Sequence, residues 1–229
     1  MFENKDSQKF DPIAEVIKIT KLVYDRRLTY ATGGNLILRH EDKYYSTPTG
    51  LGRYFLYELS SEDIIVCDKN RKIIQGKKKI SVAADTHISI LEEFPEYNAS
   101  LHTHGEFSMV FASVKKPILN VNVPVDYYGG IVPVIEFNKD FKVLTRNIIN
   151  KMKEIKKSRK EEFSRKVKDY IGYESIDSIP VALLIEGEGM MVAAPDMRFA
   201  VTAAEAIEES ARCIVYSSGI FSSPFFKER

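Results

Sequence analysis

Two histidines separated by one residue, in His102-Thr103-His104, carry the clearest chemical signal in the sequence. Side chains at positions i and i+2 of a β-strand point to the same face, so both imidazoles can reach one metal ion. The same spacing also occurs among buried or surface histidines that bind nothing. The pair therefore leaves two interpretations open, a metal site and a structural pair.

The other two histidines of the chain have less specific surroundings. His40 lies in a polar turn and predicts no function. His87 repeats at helical spacing with Ala84, Ile88 and Leu91, so it belongs to the apolar face of a helix. That position favours a core histidine, or one that supports the ligands, over a metal ligand.

Two short segments are rich in groups that bind phosphate. Gly33-Gly34-Asn35 follows Thr32, and Thr47-Pro48-Thr49-Gly50 lies further along the chain. Both supply the backbone N–H groups and hydroxyls that cradle an anion. Each segment alone is typical of a turn, and neither matches the Walker pattern of nucleotide-binding proteins.

Helices and strands alternate along the chain in the order expected of one α+β domain spanning residues 1–229. Apolar periodicity predicts helices over 12–27, 81–94, 105–114, 139–170 and 200–216. Strand-like runs occupy 36–39, 44–47, 64–67, 98–104, 131–137, 181–185 and 190–193. Pro133 predicts an edge or an end for its strand, because proline has no N–H to donate.

Composition excludes several classes of function. The chain has 229 residues, with Lys+Arg 33 and Asp+Glu 32, a formal net charge of +1. No overall positive field draws it to nucleic acid or to an anionic membrane. The charge-dense run at 156–162 interleaves acids and bases, so it predicts a solvated helical face and not a nucleic-acid patch.

The sequence also predicts where the protein resides. Its only cysteines, Cys67 and Cys213, lie in apolar runs, which favours a reducing compartment. The first residues lack the apolar stretch of a signal peptide, and no apolar run approaches the length of a membrane span. We therefore expect a cytoplasmic protein.

The order of these motifs resembles the class II aldolase and adducin family. The motifs are the Gly-Asn loop, the Thr-Pro-Thr-Gly turn, the helix with His87, His-Thr-His fifteen residues later and a glycine-rich turn in the last strand pair. The resemblance runs over residues 12–216. It implies a mostly antiparallel central sheet flanked by helices, with strand 98–104 central and helix 82–94 beside it. It also implies a homotetramer with sites between subunits.

The resemblance implies a chemistry and the residues that carry it. In the enzymes of that family a divalent metal polarises oxygens of a small phosphorylated substrate and stabilises an enediolate. Zinc is the expected metal here, with manganese, cobalt or iron as alternatives. His102 and His104 would be two of its ligands. The substrate phosphate would be held by Thr32, Gly34, Asn35, Thr49, Gly50 and Ser81.

The sequence departs from the family pattern at the third metal ligand. The family has a histidine before a glycine in the late strand turn, where this chain has Glu188, within Glu186-Gly187-Glu188-Gly189. A carboxylate can ligate zinc or iron, so a site of two histidines and one glutamate is chemically sound. The alternative is that Glu188 is a solvated turn residue.

A second departure concerns proton transfer. The family's enzymes carry an acid four residues before the helix histidine, and Ala83 stands there in this chain. A methyl group cannot move protons. Asp85 lies about 200° further round the helix, so it cannot take the same place. A phosphate-side serine of the family is replaced by Val82.

These departures leave two functions open. The first is a divergent metal-dependent lyase-like enzyme acting on a small phosphorylated hydroxy-carbonyl compound. Glu106, Tyr127 or Tyr128 could then replace the missing acid. The favoured interpretation, however, is that Glu106 caps a helix and that the two tyrosines are packing residues. The second function is a non-catalytic protein of the adducin type that binds a ligand or takes part in assembly.

Overall fold

Six α-helices and eight strands form the described part of the chain, which in this computed structural model covers residues 10–31, 33–119, 121, 130–163 and 176–222. The helices are α1 (Pro12–Asp25), α2 (Leu51–Phe55), α3 (Ala84–Glu93), α4 (Glu106–Ser113), α5 (Phe141–Phe163) and α6 (Met197–Ser222). The strands are β1 (Asn35–His40), β2 (Lys43–Ser46), β3 (Ile65–Cys67), β4 (Ile73–Gln75), β5 (Ala99–Thr103), β6 (Val134–Ile135), β7 (Val181–Ile185) and β8 (Gly189–Ala194). None of the helices within these ranges is long and apolar enough to cross a membrane.

All eight strands form one sheet in the order β4-β3-β2-β1-β5-β8-β7-β6. Neighbouring strands are antiparallel except β6 and β7, which are parallel. The predicted α+β class with a mostly antiparallel sheet is thus confirmed. Strand β5 lies in the middle, as predicted, and pairs His102 with Asn35 of β1 on one side and with Met191 of β8 on the other.

Helices cover both faces of the sheet. Because strand side chains alternate, Leu101 joins the apolar layer beneath α1, α4 and α6, whereas Ser100 and His102 face α3 and α5. Ile88 on α3 and Ile148 on α5 pack into that second layer. Ser100 and His102 therefore lie between the sheet and the α3–α5 pair.

The first helix shows how local sequence sets an element boundary. The Asp11 carboxylate accepts hydrogen bonds from the N–H groups of Ile13 and Ala14, at 2.9 and 3.2 Å. Pro12 follows at the first helical position, where a missing N–H costs nothing. The helix begins at the residue that the sequence predicted.

Most predicted elements are present, with shifted ends. The helix predicted over 139–170 is described as far as Phe163, and the rest of that prediction lies outside the described residues. The strand that contains Pro133 is reduced to the two residues of β6 at the edge of the sheet, as the proline predicts. The sequence pattern did not predict α2 and β4, because both are short and β4 exposes Ile73 and Ile74 at the opposite edge.

Candidate functional site

A cavity of about 330 Å³ lies on the α3–α5 side of the sheet. It brings together nine residues that the sequence singled out, and these are Gly34, Asn35, Thr49, Gly50, Ser81, Ala83, His102, His104 and Glu188. Three other residues considered from the sequence, Thr32, Tyr127 and Tyr128, lie outside the described residues. Residues far apart in the chain thus share one cavity.

Three loops form the polar end of this cavity. The Gly33–Asn35 loop is tied by the Tyr57 hydroxyl, which donates to the Gly33 carbonyl at 2.6 Å. The turn at 49–50 is held by the Thr49 N–H, which donates to the Lys79 carbonyl at 2.9 Å. The third loop, at 81–83, leads into α3.

The conformation of two of these loops requires glycine. Gly34 has φ +82° and Gly50 has φ +71°, a left-handed backbone that other residues rarely adopt. No Lys or Arg side chain lines the cavity among the described residues. An anion at this end would therefore be bound by backbone N–H groups, hydroxyls and the Asn35 amide.

His102 of β5 and His104, one residue beyond the end of that strand, meet in the cavity. The ring centroids of His102 and His104 are 4.9 Å apart, with an angle of 61° between the ring planes. Gly33 makes room for this pair, since a Cβ there would lie 2.3 Å from Cγ of the His104 ring. Burial, followed by the nearby His104, lowers the pKa of His102 to about 4, and burial also lowers the pKa of His104. Both rings are neutral near pH 7, which is the form that binds metals.

Glu188 reaches the same cavity from the turn between β7 and β8. Its backbone carbonyl accepts a hydrogen bond from Nε2 of His102 at 2.6 Å, and burial raises the pKa of its carboxyl group. The turn passes close to the histidine strand, because a Cβ at Gly189 would lie 2.2 Å from the Thr103 carbonyl. Glu188 is thus a cavity residue and not merely a solvated turn residue.

The types of donor present suit a divalent metal. Two neutral imidazoles and one carboxylate line a single cavity. Within the described ranges, however, no three His, Cys, Asp or Glu side chains are already arranged around one point. The role of Glu188 as the third ligand remains a prediction.

The sequence pattern of the class II aldolase and adducin N-terminal domain matches residues 14–215. The chain belongs to this family. The L-fuculose phosphate aldolase of Methanococcus maripaludis is 36% identical over 106 residues, which cover 46% of this chain and 56% of that protein. The match therefore spans little more than half the length of that curated relative.

Two further aldolases are similar over most of the chain. The 5-deoxy-D-ribulose 1-phosphate aldolase of Bacillus thuringiensis is 24% identical over 212 residues, covering 92% of this chain and 86% of that protein. A solved structure of an L-fuculose 1-phosphate aldolase superposes with a TM-score of 0.72 at 21% identity, covering 96% of this chain and 92% of the other. This likeness shows the class II aldolase fold.

Ala83 occupies the position where the family resemblance implies an acid, so this position offers no proton carrier. Ala83 lines the cavity at the start of α3. Asp85 lies in a separate pocket and forms an ion pair with Arg71, and Glu106 lines neither of these two cavities. Of the described residues that line the cavity containing His102 and His104, Glu188 carries the only carboxylate.

One supporting carboxylate was missed by sequence analysis. Glu208 of α6 accepts hydrogen bonds from the N–H groups of Phe107 and Ser108, at 2.5 and 3.0 Å, and so caps α4. Glu106 lies in the first turn of α4, where a negative charge is favourable as predicted, and the distant Glu208 accepts the hydrogen bonds from the N–H groups. A Cβ at Gly105 would lie 2.4 Å from a Glu208 oxygen, so Gly105 allows this contact immediately after His104. No local signal could have revealed it.

Much of the remaining lining of the cavity is apolar. Its side chains come from α5, from the segment before it and from the sheet, and they are Phe137, Phe141, Leu144, Ile148, Ile185 and Met191. Leu144 and Ile148 are buried core residues of the helix that the sequence predicted, but their place in the site was not foreseen. The cavity lining thus combines polar loops with apolar side chains of α5 and the sheet.

Proposed function

We propose that the protein is a metal-dependent lyase-like enzyme acting on a small phosphorylated hydroxy-carbonyl compound. The observation that carries this proposal is the single cavity that gathers the histidine pair, Glu188 and the three polar loops. Its volume of about 330 Å³ suits a small sugar phosphate. The relatives named as sugar-phosphate aldolases support the same class of reaction.

A divalent metal, with zinc expected, would be held by His102, His104 and Glu188. Such an ion supplies Lewis-acid polarisation of the substrate's carbonyl and hydroxyl oxygens. The protein's contribution is to keep both imidazoles neutral through burial and to hold them side by side at the end of β5. Glu188 adds a negative charge next to them when it is ionised.

The polar loops and the apolar side chains that line the cavity suggest how a substrate would lie within it. A phosphate group would lie against Gly34, Asn35, Thr49, Gly50 and Ser81, where N–H groups and hydroxyls can donate to its oxygens. Thr32, next to that loop, is proposed for the same role from the family resemblance. The carbon chain would then extend toward the apolar wall, which favours a substrate with a methyl or similar apolar end over a fully hydroxylated one.

Proton transfer is the step that this site performs poorly. Ala83 has no acid to offer, and general acid–base assistance is worth roughly a hundred- to ten-thousand-fold in rate. We therefore expect fuculose-1-phosphate, rhamnulose-1-phosphate and ribulose-5-phosphate to be poor substrates. The same residue supports the second candidate, a non-catalytic ligand-binding or assembly protein.

The direct experiment compares Ala83→Glu with Ala83→Gln in a cleavage assay with these three sugar phosphates. The two side chains have the same length, and only glutamate can carry a proton. Ala83→Glu should raise turnover by about a hundredfold or more over the parent, and Ala83→Gln should not. Pairing Ala83→Glu with Glu188→His, which restores the family's metal shell, should increase the gain.

Two results would contradict parts of this reasoning, the first the expected lack of a proton carrier and the second the enzymatic function. Fast turnover of any of the three sugars by the wild type would show that a proton carrier is present after all. No gain in the double variant, with metal bound and the fold unchanged, would favour the non-catalytic candidate. Soaking the variant in a phosphorylated ligand would test whether the loops still bind phosphate.

We also propose a homo-oligomer, with a tetramer expected from the family, and a cytoplasmic location as predicted from the sequence. Exposed apolar side chains support assembly, because Val110, Val114, Leu119, Val121 and Ile131 are each about half exposed around the end of α4. Light scattering would measure the mass in solution. A monomer at micromolar concentration would contradict sites shared between subunits.

A further inference from the structure

A chain of buried hydrogen bonds runs beneath the cavity from Ser100 through His87 to Asn35. Ser100 and His87 are both fully buried. Nδ1 of His87 lies 2.7 Å from the Ser100 hydroxyl, and Nε2 of His87 bonds to the Asn35 side-chain oxygen. Asn35 lines the cavity. The chain therefore connects the core to one ligand-facing amide.

The direction of these hydrogen bonds follows from the chemistry of the groups. An amide oxygen only accepts, so Nε2 of His87 must carry the hydrogen. A neutral imidazole has one N–H, so Nδ1 accepts and the Ser100 hydroxyl donates to it. Every group in this arrangement has a strong partner.

The reverse arrangement is weaker. If the Asn35 amide were turned over, Nδ1–H of His87 would donate to Ser100, and the Ser100 hydrogen would need another acceptor. The Met191 sulfur, 3.7 Å away, is the acceptor that the structure offers it. A thioether is a weak acceptor compared with an imidazole nitrogen. The bonds therefore favour the first direction.

We propose that His87 is a positioning residue that turns the NH₂ group of Asn35 toward the cavity, as a fixed donor to an anionic oxygen of the ligand. This inference rests on the proposed function, because it takes the ligand to be phosphorylated. With no Lys or Arg side chain among the described lining residues, a neutral donor is one of the few groups there that attract an anion. An unrestrained amide could turn its oxygen to the phosphate and repel it.

The arrangement also explains why a histidine occupies a fully buried position. An apolar side chain would fill the space between α3 and the sheet without the cost of burying two ring nitrogens. His87 instead pairs one nitrogen with β5 and the other with β1, the two strands that carry His102 and Asn35. It thereby links the amide donor to the strand of the proposed metal ligands.

The first test measures the ring tautomer of His87 directly. Long-range ¹H–¹⁵N spectra of the full-length protein, labelled at histidine, distinguish the nitrogen that carries hydrogen from the one with a lone pair. The chain has only four histidines, so the spectrum of a His87→Gln variant identifies the His87 signals. We expect the Nε2–H tautomer. The Nδ1–H tautomer would overturn the inference.

The second test uses two matched substitutions and inorganic phosphate as the probe. A Gln amide reaches about as far as Nε2, so His87→Gln can still donate to Asn35, whereas His87→Asn reaches only Ser100. We expect the phosphate dissociation constant to stay within about threefold in His87→Gln and to rise about tenfold in His87→Asn. Thermal unfolding of both variants confirms that each is folded.

The outcomes separate this inference from the proposed function. Equal phosphate affinity in the two variants would overturn the positioning role, even if phosphate binds tightly. If the wild type binds no phosphate and the tautomer is Nε2–H, the proposed phosphorylated ligand is wrong while the orientation of the amide is supported. An Asn35→Asp variant should keep the tautomer, since a carboxylate also accepts from Nε2, and should weaken phosphate binding by charge repulsion.

Discussion

Acid should destabilise this protein through its buried histidines, and His87 gives the clearest case. Burial, followed by the charge of nearby His102, lowers the pKa of His87 from 6.5 to about 3. The unfolded chain takes up a proton near pH 6.5, whereas the folded chain does so only near pH 3. Between these values the unfolded state binds more protons, so the free energy of unfolding falls as the pH falls.

The size of this effect follows from the shift. One such group lowers the free energy of unfolding by about 1.4 kcal/mol for each pH unit below 6.5, which amounts to about 2 kcal/mol at about pH 5. His102, with a pKa lowered to about 4, adds a loss of similar size over the same range. The wild type should therefore lose about 4 kcal/mol from these two residues between about pH 7 and about pH 5, and a His87→Gln variant only about half of that.

Urea unfolding at several pH values, with a chelator present and the protein concentration fixed, measures this difference. The carboxylates contribute equally to both proteins, so subtraction isolates His87. Parallel stability curves for the wild type and His87→Gln between about pH 7 and about pH 5 would refute the reasoning. They would show that the pKa of His87 is the same in the folded and unfolded chain.

Three further predictions concern the candidate site. Glu188→Ala should weaken zinc binding by at least about tenfold without unfolding the chain, and His102→Ala should abolish zinc binding. Competition with a chromophoric chelator measures both effects, and unchanged occupancy in both variants would eliminate the metal proposal. Gly33→Ala should displace the His104 ring, because the added Cβ would lie 2.3 Å from Cγ of that ring, and should lower metal occupancy more than thermal stability. Glu208→Ala should leave the N–H groups at the start of α4 without a partner, and should lower the free energy of unfolding in urea by about 1–3 kcal/mol. A decrease of only about a few tenths of a kcal/mol would show that water replaces the carboxylate.

Local patterns in the sequence predicted the elements that carry the site but not all of its walls. The spacing of His102 and His104 placed both on one strand face, and the apolar stripe around His87 placed that residue in the core. Both predictions depend only on neighbours in the chain. The bond from His87 to Asn35 depends on which strands pair, and the periodicity of a single segment contains no such information.

The parts that were missed have the same physical cause. Glu208 caps α4 from more than a hundred residues away, and Leu144 lines the cavity because α5 packs beside α3. These contacts arise only when the sheet has assembled. The third ligand is a different problem, because glycines on both sides of Glu188 allow the turn many conformations, and its side chain is placed by the strands that it connects.

The pairing of Asn35, His102 and Met191 across three adjacent strands makes the chemistry sensitive to alignment. Side chains on a strand alternate between faces, so an insertion of one residue in β5 before His102 would send both histidines into the layer beneath α1, α4 and α6. An insertion of two residues would restore the face but move the imidazoles one step past the amide of β1. The central strand therefore tolerates substitutions far better than any change in its number of residues.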